Sequence, residues 1–171
     1  WAGDQTPDLT AGTADATFAT AGETATLDAD AQFYGFHFDG AATEFALTGD
    51  GTATLYGGTI SATASRTGTV DVAVTLKKDL TVDVAAGTTV DLSKDVREAD
   101  GFSYGLTKTG AGELVLRGEN AFSGDVNING GKISVYSAKD GLVREGATGK
   151  ITGSEANGAL DFHGAEVAAQ I

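Results

Sequence analysis

"GLTKTGAGELVLRGENAFSGDVNINGGKISVY", residues 105–136, places glycine or asparagine every few positions and apolar residues two apart between them. Leu114 and Leu116, Val126 and Ile128, and Ile133 and Val135 each put two side chains on one face of an extended segment, because successive side chains of a strand point to opposite sides. The segments are short, about 4–7 residues each. A chain that interrupts its strands this often is turning corners. Gly105, Gly110, Gly112, Gly118 and Gly124 are expected at those corners in left-handed backbone, which a Cβ disfavours. Asn120 is the non-glycine residue best suited to the same conformation, and its side chain can satisfy backbone groups nearby.

The period of two continues outward from this stretch. "QFYGFHF" sets Phe36 and Phe38 on one face and His37 on the other. "TVDVAVTL" alternates Val70, Val72 and Val74 with Asp71, Ala73 and Thr75, and "TVDVAAGTTVDL" echoes it with Val82, Val84, Val90 and Leu92. No segment shows a helical period. Threonine and valine dominate the runs, as β-branched residues suit a pleated surface. Short strands with frequent turns fit an all-β fold: a parallel β-helix (solenoid), with a β-sandwich as the alternative. The clustering of strands between Gly, Asn and Asp, and the imperfect repetition, favour the solenoid. At ~20–25 residues per coil the chain holds roughly seven coils.

The chain has 171 residues, 41% of them hydrophobic, with 25 Gly and 1 Pro, which suits one domain with a continuous core rather than a disordered chain. Its formal net charge is −13, and the 11 basic residues are scattered among 24 acids. Phosphate backbones and anionic membranes need clustered Lys and Arg, so neither nucleic acid nor direct membrane insertion is expected. With no Cys there is no disulfide framework, thiolate nucleophile or Cys-ligated zinc. With no Met, a chain starting at Trp1 reads as a mature product or an excised piece, with any export signal or anchor outside it.

Gly105, Leu106, Lys108, Gly110, Gly112, Leu114, Leu116, Gly118, Asn120, Phe122, Gly124, Ile128, Asn129, Gly131, Ile133 and Val135 stand in a characteristic order and spacing. The stretch resembles the autotransporter-associated β-strand repeat, also called the passenger-associated transport repeat. It departs at Asp125, where glycine is common, and at Glu113, where threonine is usual; both are expected to point outward. The tract "ATFATAGETATLDADAQFYGFHFDG" upstream is similar, more loosely, to the leader of the same kind of module. The resemblance implies a right-handed parallel β-helix in the secreted passenger of a type V autotransporter or a similar bacterial surface protein. It implies a parent anchored in the outer membrane, and a repeat associated with export and folding of the passenger. Such passengers are often adhesins; where they are proteases or toxins, the chemistry usually sits in a separate domain. Residues 1–171 are accordingly expected to be one passenger-type β-helical domain of a longer protein, with the repeat at 105–136.

Candidate chemistry is sparse. His37 and His163 are the only histidines, far apart in sequence, so no two-histidine metal spacing exists. Ser103 in "GFSYG" lacks the spacing of a nucleophile elbow, and a Ser-His-Asp hydrolase would need a histidine beside a serine and a carboxylate. Asp71, Asp83 and Asp91 each lie between apolar strand residues and so point outward. Stacked on neighbouring coils, they would form a column suited to calcium, with Lys77, Lys78 and Lys94 nearby in sequence. The blander reading is a solvated acidic face that keeps a β-rich surface soluble. Many polysaccharide lyases and hydrolases are β-helices, which makes a polysaccharide-acting enzyme the alternative function by fold analogy.

Phe33, Tyr34, Phe36 and Phe38, with Tyr56, form the densest aromatic cluster; Phe36 and Phe38 are expected in the core, and the others are candidates for a glycan- or protein-binding face. The expected function is a non-catalytic structural segment at the bacterial surface that supports export-coupled folding and adhesion. It needs no cofactor, and its partners would be host or matrix proteins or glycans. A solenoid that stops at "AEVAAQI" is also expected to carry a cap there or to associate end to end.

Overall fold

A computed structural model describes residues 12–19, 24–39, 44–63, 67–120, 122–136, 150–153 and 159–162. They form strands and no helix. In chain order these are β1 (Ala16–Phe18), β2 (Thr24–Thr26), β3 (Ala31–Phe38), β4 (Glu44–Ala62), β5 (Thr67–Leu76), β6 (Leu80–Val84) and β7 (Thr89–Leu92). Then follow β8 (Val96–Glu98), β9 (Leu106–Thr109), β10 (Glu113–Leu116), β11 (Val126–Ile128), β12 (Lys132–Val135), β13 (Ile151–Gly153) and β14 (Ala159–Phe162). The alternation that makes them strands is cleanest in β5, where TGTVDVAVTL switches between half-exposed and buried at every position.

Every strand pair is parallel, which excludes the sandwich and makes the fold a β-solenoid. One side of the rod is the ladder β2–β4–β5–β7–β10–β12–β14. A second is β1–β3–β4–β6–β9–β11–β13. The third, β3–β4–β5–β8, is shorter. It is continued one turn further by Asn120 and Ser123, which bond back to Val96 and Glu98. About five turns therefore have all three sides, and the last two levels are described on two sides only. Thr67 pairs with Thr89, Thr89 with Glu113 and Glu113 with Lys132, so a turn takes roughly 20–25 residues, as expected. The step from Lys132 to Ala159 is longer.

Register sets the core. Leu47, Val70, Leu92, Leu116 and Val135 stack in one inward column, all 2% exposed or less. Burying such a side chain contributes about 1.5–3 kcal/mol. Phe36, Ile60, Val82, Lys108 and Ile128 form another column, and Phe33, Leu55, Leu76 and Glu98 a third. The first turns are filled by aromatics. Phe18 stacks on Phe38 with ring centroids 5.1 Å apart, and Phe38 meets Phe45 at 6.1 Å. Gly68 makes room for them, since a methyl there would stand 2.9 Å from the Phe38 ring. Phe33, expected among the outward aromatics, is buried at 1% and packs on Phe36. The strands shift register between Phe33 and Gly35, which resets the alternation and lets both phenylalanines face inward.

Candidate functional site

The passenger-type stretch spans β9 to β12 and the corners between them, and most of its glycines do a different job from the one expected. Only Gly110 and Gly131 have left-handed backbone, at φ 69° and 65°. Gly105, Gly112, Gly118 and Gly124 are required by contact between turns instead. A Cβ would stand 2.4 Å from the Asp125 carbonyl oxygen at Gly105 and 2.3 Å from that of Ala85 at Gly112. At Gly118 it would stand 2.4 Å from the Asp95 nitrogen, and at Gly124 2.7 Å from the Gly105 nitrogen. Asn120 is not left-handed either, since no residue but glycine has positive φ among those described. Its side chain does serve the backbone: Nδ2 donates to the Gly118 carbonyl at 2.8 Å, and Oδ1 accepts from the Val96 amide at 2.8 Å. Leu106, Leu114, Leu116, Phe122, Ile133 and Val135 are inward and at most 1% exposed, and Ile128 is 3% exposed.

Lys108 is the surprise of the motif. It occupies an inward position between Val82 and Ile128 and is fully buried. Its Nζ donates to the carbonyls of Thr109 (2.5 Å), Gly110 (2.9 Å) and Gly130 (3.3 Å), the last on the next turn. Burial pulls its ammonium down to about 8, with Asp83 acting in the opposite direction. Glu98, which the sequence reading passed over, likewise stands inward, next to Leu76 in the third column, and is 7% exposed. Its carboxylate accepts from the amides of Tyr104 and Ser123 at 2.7 Å and from the Ser123 hydroxyl at 2.6 Å. Alternation alone marks both residues as inward, and that was the available signal.

Many of the acids are structural acceptors. Asp30, Asp79, Asp95 and Asp125 each take a backbone amide from the following turn: Thr52, Gly105, Glu119 and Lys150, at 2.8–2.9 Å. These contacts fall at corners, where the strand ladder is interrupted. Asp125 departs from the repeat's usual glycine and caps the next turn. Glu113 departs from its threonine and accepts from Ser134 at 2.5 Å, with Lys132 Nζ at 3.0 Å. Asp95 feels burial, which pushes its carboxyl up, but the Arg97 guanidinium and the Glu119 amide outweigh this and hold it below its ordinary value.

The structure does not stack Asp71, Asp83 and Asp91. Asp71 pairs with Thr48 and Asp91 with Thr69, while Asp83 lies on a different side between Ser61 and Thr109. Asp91 points outward on its strand yet is only 9% exposed, because Arg117 bonds it at 2.7 Å and Ser93 at 3.0 Å. Arg117 in turn lies 4.5 Å over the Tyr136 ring. Asp83 accepts from the Thr109 hydroxyl at 2.8 Å. Of the lysines nearby in sequence, Lys77 and Lys78 are exposed and Lys94 donates to the Gly49 carbonyl at 2.9 Å. Among the described residues no group of three or more His, Asp or Glu side chains converges to hold a metal ion.

His37 has the partners that the sequence could not supply. Its Nδ1 lies 2.7 Å from the Ser61 hydroxyl and its Nε2 3.2 Å from Asp15 Oδ1. Three successive turns thus contribute a serine, a histidine and an aspartate, by register rather than by sequence motif. Acyl transfer would also require donors for a developing oxyanion. Here Ser61 and Ala62 sit inside the ladder between β3 and β6, and the Thr63 amide donates to the Phe38 carbonyl. The trio lies on a strand face with His37 and Asp15 26% and 43% exposed, and it ties three turns together. Ser103 is exposed on a loop away from this group, and His163 and the terminal "AEVAAQI" lie outside the described residues. Tyr34 and Tyr56 are exposed, as expected of outward aromatics.

No curated protein and no solved structure matches the chain. Residues 106–135, the segment closed by Lys108 and its neighbouring glycines, do match a family model, that of the passenger-associated-transport-repeat. The chain thus carries an autotransporter-passenger repeat built into a β-solenoid, and that repeat implies an exported, surface-displayed protein.

Proposed function

We propose that the chain is a non-catalytic structural segment of an autotransporter passenger, from a bacterial parent anchored in the outer membrane. Its stacked turns support folding during export and present a surface for adhesion. One observation carries the reading: polar groups at the corners of one turn are satisfied by the next. Lys108 reaches Gly130, Asp79 takes the amide of Gly105, and Asp125 takes that of Lys150. Each arriving turn therefore supplies partners that the previous one lacks, so folding can proceed turn by turn along a solenoid. The placement of Asp71, Asp83 and Asp91 argues against a polysaccharide-cleaving site built on them, because Asp83 lies on a different side of the rod and Asp91 is held by Arg117.

The test is to display the chain as the passenger of an outer-membrane translocator and measure its exposure to protease on intact cells. Lys108→Ala and Gly112→Val are expected to reduce surface-exposed, protease-resistant chain by about tenfold, in step with their loss of stability. Equal display of wild type and both variants would remove export-coupled folding from the reading.

A further inference from the structure

At one corner of the rod the chain passes from the third side to the second. Phe33, Leu55, Leu76 and Glu98 end the third side in register, and Gly35, Thr59, Thr81 and Thr107 lie in register on the second. What lies between them on four successive turns is Tyr34, then Tyr56, then Lys77 and Lys78, then the loop holding Phe102 and Tyr104. Tyr34 is 47%, Tyr56 40% and Phe102 56% exposed, and both lysines are exposed. Phe102 and Tyr104 stack nearly parallel, 6° apart with centroids at 5.7 Å. The tyrosines are seated on glycines: a methyl at Gly57 would stand 2.6 Å from the Tyr34 ring, and one at Gly12 2.5 Å from that of Tyr56.

We propose that this ridge binds a linear, neutral glycan running along the rod axis. Turns of a parallel solenoid repeat at ~4.8 Å, close to the length of one sugar ring in an extended polymer, so the corner side chains of successive turns meet successive sugars. From Tyr34 to Phe102 the ridge covers about 15 Å, or three such steps. Aromatic faces take the apolar faces of pyranose rings, and Lys77, Lys78 and Asp79 offer donors and acceptors to hydroxyls between them. A protein partner needs a broad patch, about 800 Å² on each side with an apolar centre. A single file of rings interrupted by two lysines suits a thin polymer better. The net charge of −13 disfavours a polyanion.

The inference rests on the surface-segment reading above, but its test uses the purified chain, so its failure leaves the export experiment standing. Cellohexaose, chitohexaose and mannohexaose, with heparin as polyanion, are titrated against the chain by calorimetry at low and high salt. At least one neutral hexasaccharide is expected to bind about tenfold more tightly than heparin, with little salt dependence. The Tyr34→Ala, Tyr56→Ala double variant is expected to weaken it about tenfold or more, with Lys77→Gln and Lys78→Gln far milder. If the tyrosine variant fails to fold, the wild-type chain still answers, since bound glycan should protect Tyr56 from iodination. Failure of all three neutral glycans to bind, or heparin binding abolished by salt and by the lysine variants, overturns the proposal.

Discussion

The Nζ of Lys108 lies 3.3 Å from the carbonyl oxygen of Gly130, one turn further along the rod, although its own Cα sits in an inward column of apolar residues. A charged side chain thus fills a core position and spends its charge on three backbone carbonyls at the corner where β9 and β11 end.

Replacing Lys108 by methionine keeps the length of the side chain but leaves those carbonyls without their donor. The expected loss is about 1–3 kcal/mol at neutral pH, read from urea unfolding. The gap should widen in alkali. Lys108 holds its proton up to about 8 when folded and to about 10.5 when unfolded, so between these values the unfolded chain binds more protons and stability rises with pH. Wild type should therefore gain on the order of 3 kcal/mol over Lys108→Met across that window. A constant difference from neutral pH upward would show that the lysine is not desolvated.

Asp95 makes the opposite case in acid. Its folded carboxyl titrates below its ordinary value of 3.8, so the stability it contributes is present above that pH and is lost as pH falls through the folded value. Asp95→Asn should be less stable than wild type at about pH 6 and indistinguishable from it at about pH 2, by urea midpoints at the two conditions. A deficit that persists in strong acid would assign the loss to packing instead of charge.

Two glycine substitutions separate backbone strain from crowding. Gly101 has φ 80° and nothing within 4 Å of an added methyl, so Gly101→Ala should cost about 1–2 kcal/mol through conformation alone. Gly112 needs no left-handed backbone, yet its methyl would press on two carbonyl oxygens, and Gly112→Ala should cost about 1–3 kcal/mol or more. Thermal unfolding decides between them, and a neutral Gly112→Ala would contradict the close approach of adjacent turns.

Ser61 tests whether its contact with His37 is a brace or a nucleophile. Ser61→Ala should lower stability by about 0.5–1.5 kcal/mol and leave hydrolysis of an activated ester at the rate of the wild-type chain. Labelling of Ser61 in the wild type by a fluorophosphonate would overturn the structural reading.

The passenger-type repeat at 105–136 was read from its resemblance to a known family, whereas the period of two and the glycine punctuation were enough to read strands and a solenoid. The latter follow from local chemistry: alternation assigns faces, β-branched residues favour extended backbone, and glycine marks corners. The inward faces of Phe36, Phe38, Leu114 and Leu116 were legible on the same ground. Phe33 was not, because the pairing with the neighbouring strand shifts register between Phe33 and Gly35 and the alternation is reset there. Whether Asp71, Asp83 and Asp91 form a column was open for a related reason. Whether outward residues meet depends on how many residues each turn takes, and those numbers differ from turn to turn.

By itself, then, the sequence determined the kind of structure and, where the alternation runs unbroken, which residues face inward. Only the tertiary structure decided what those residues touch. Stacking brings together groups about twenty or more residues apart, and one residue more or less in a corner changes every pairing beyond it. It places His37 between Ser61 and Asp15, carries Lys108 to Gly130, and shows that Gly112 is glycine because the Ala85 carbonyl lies against it.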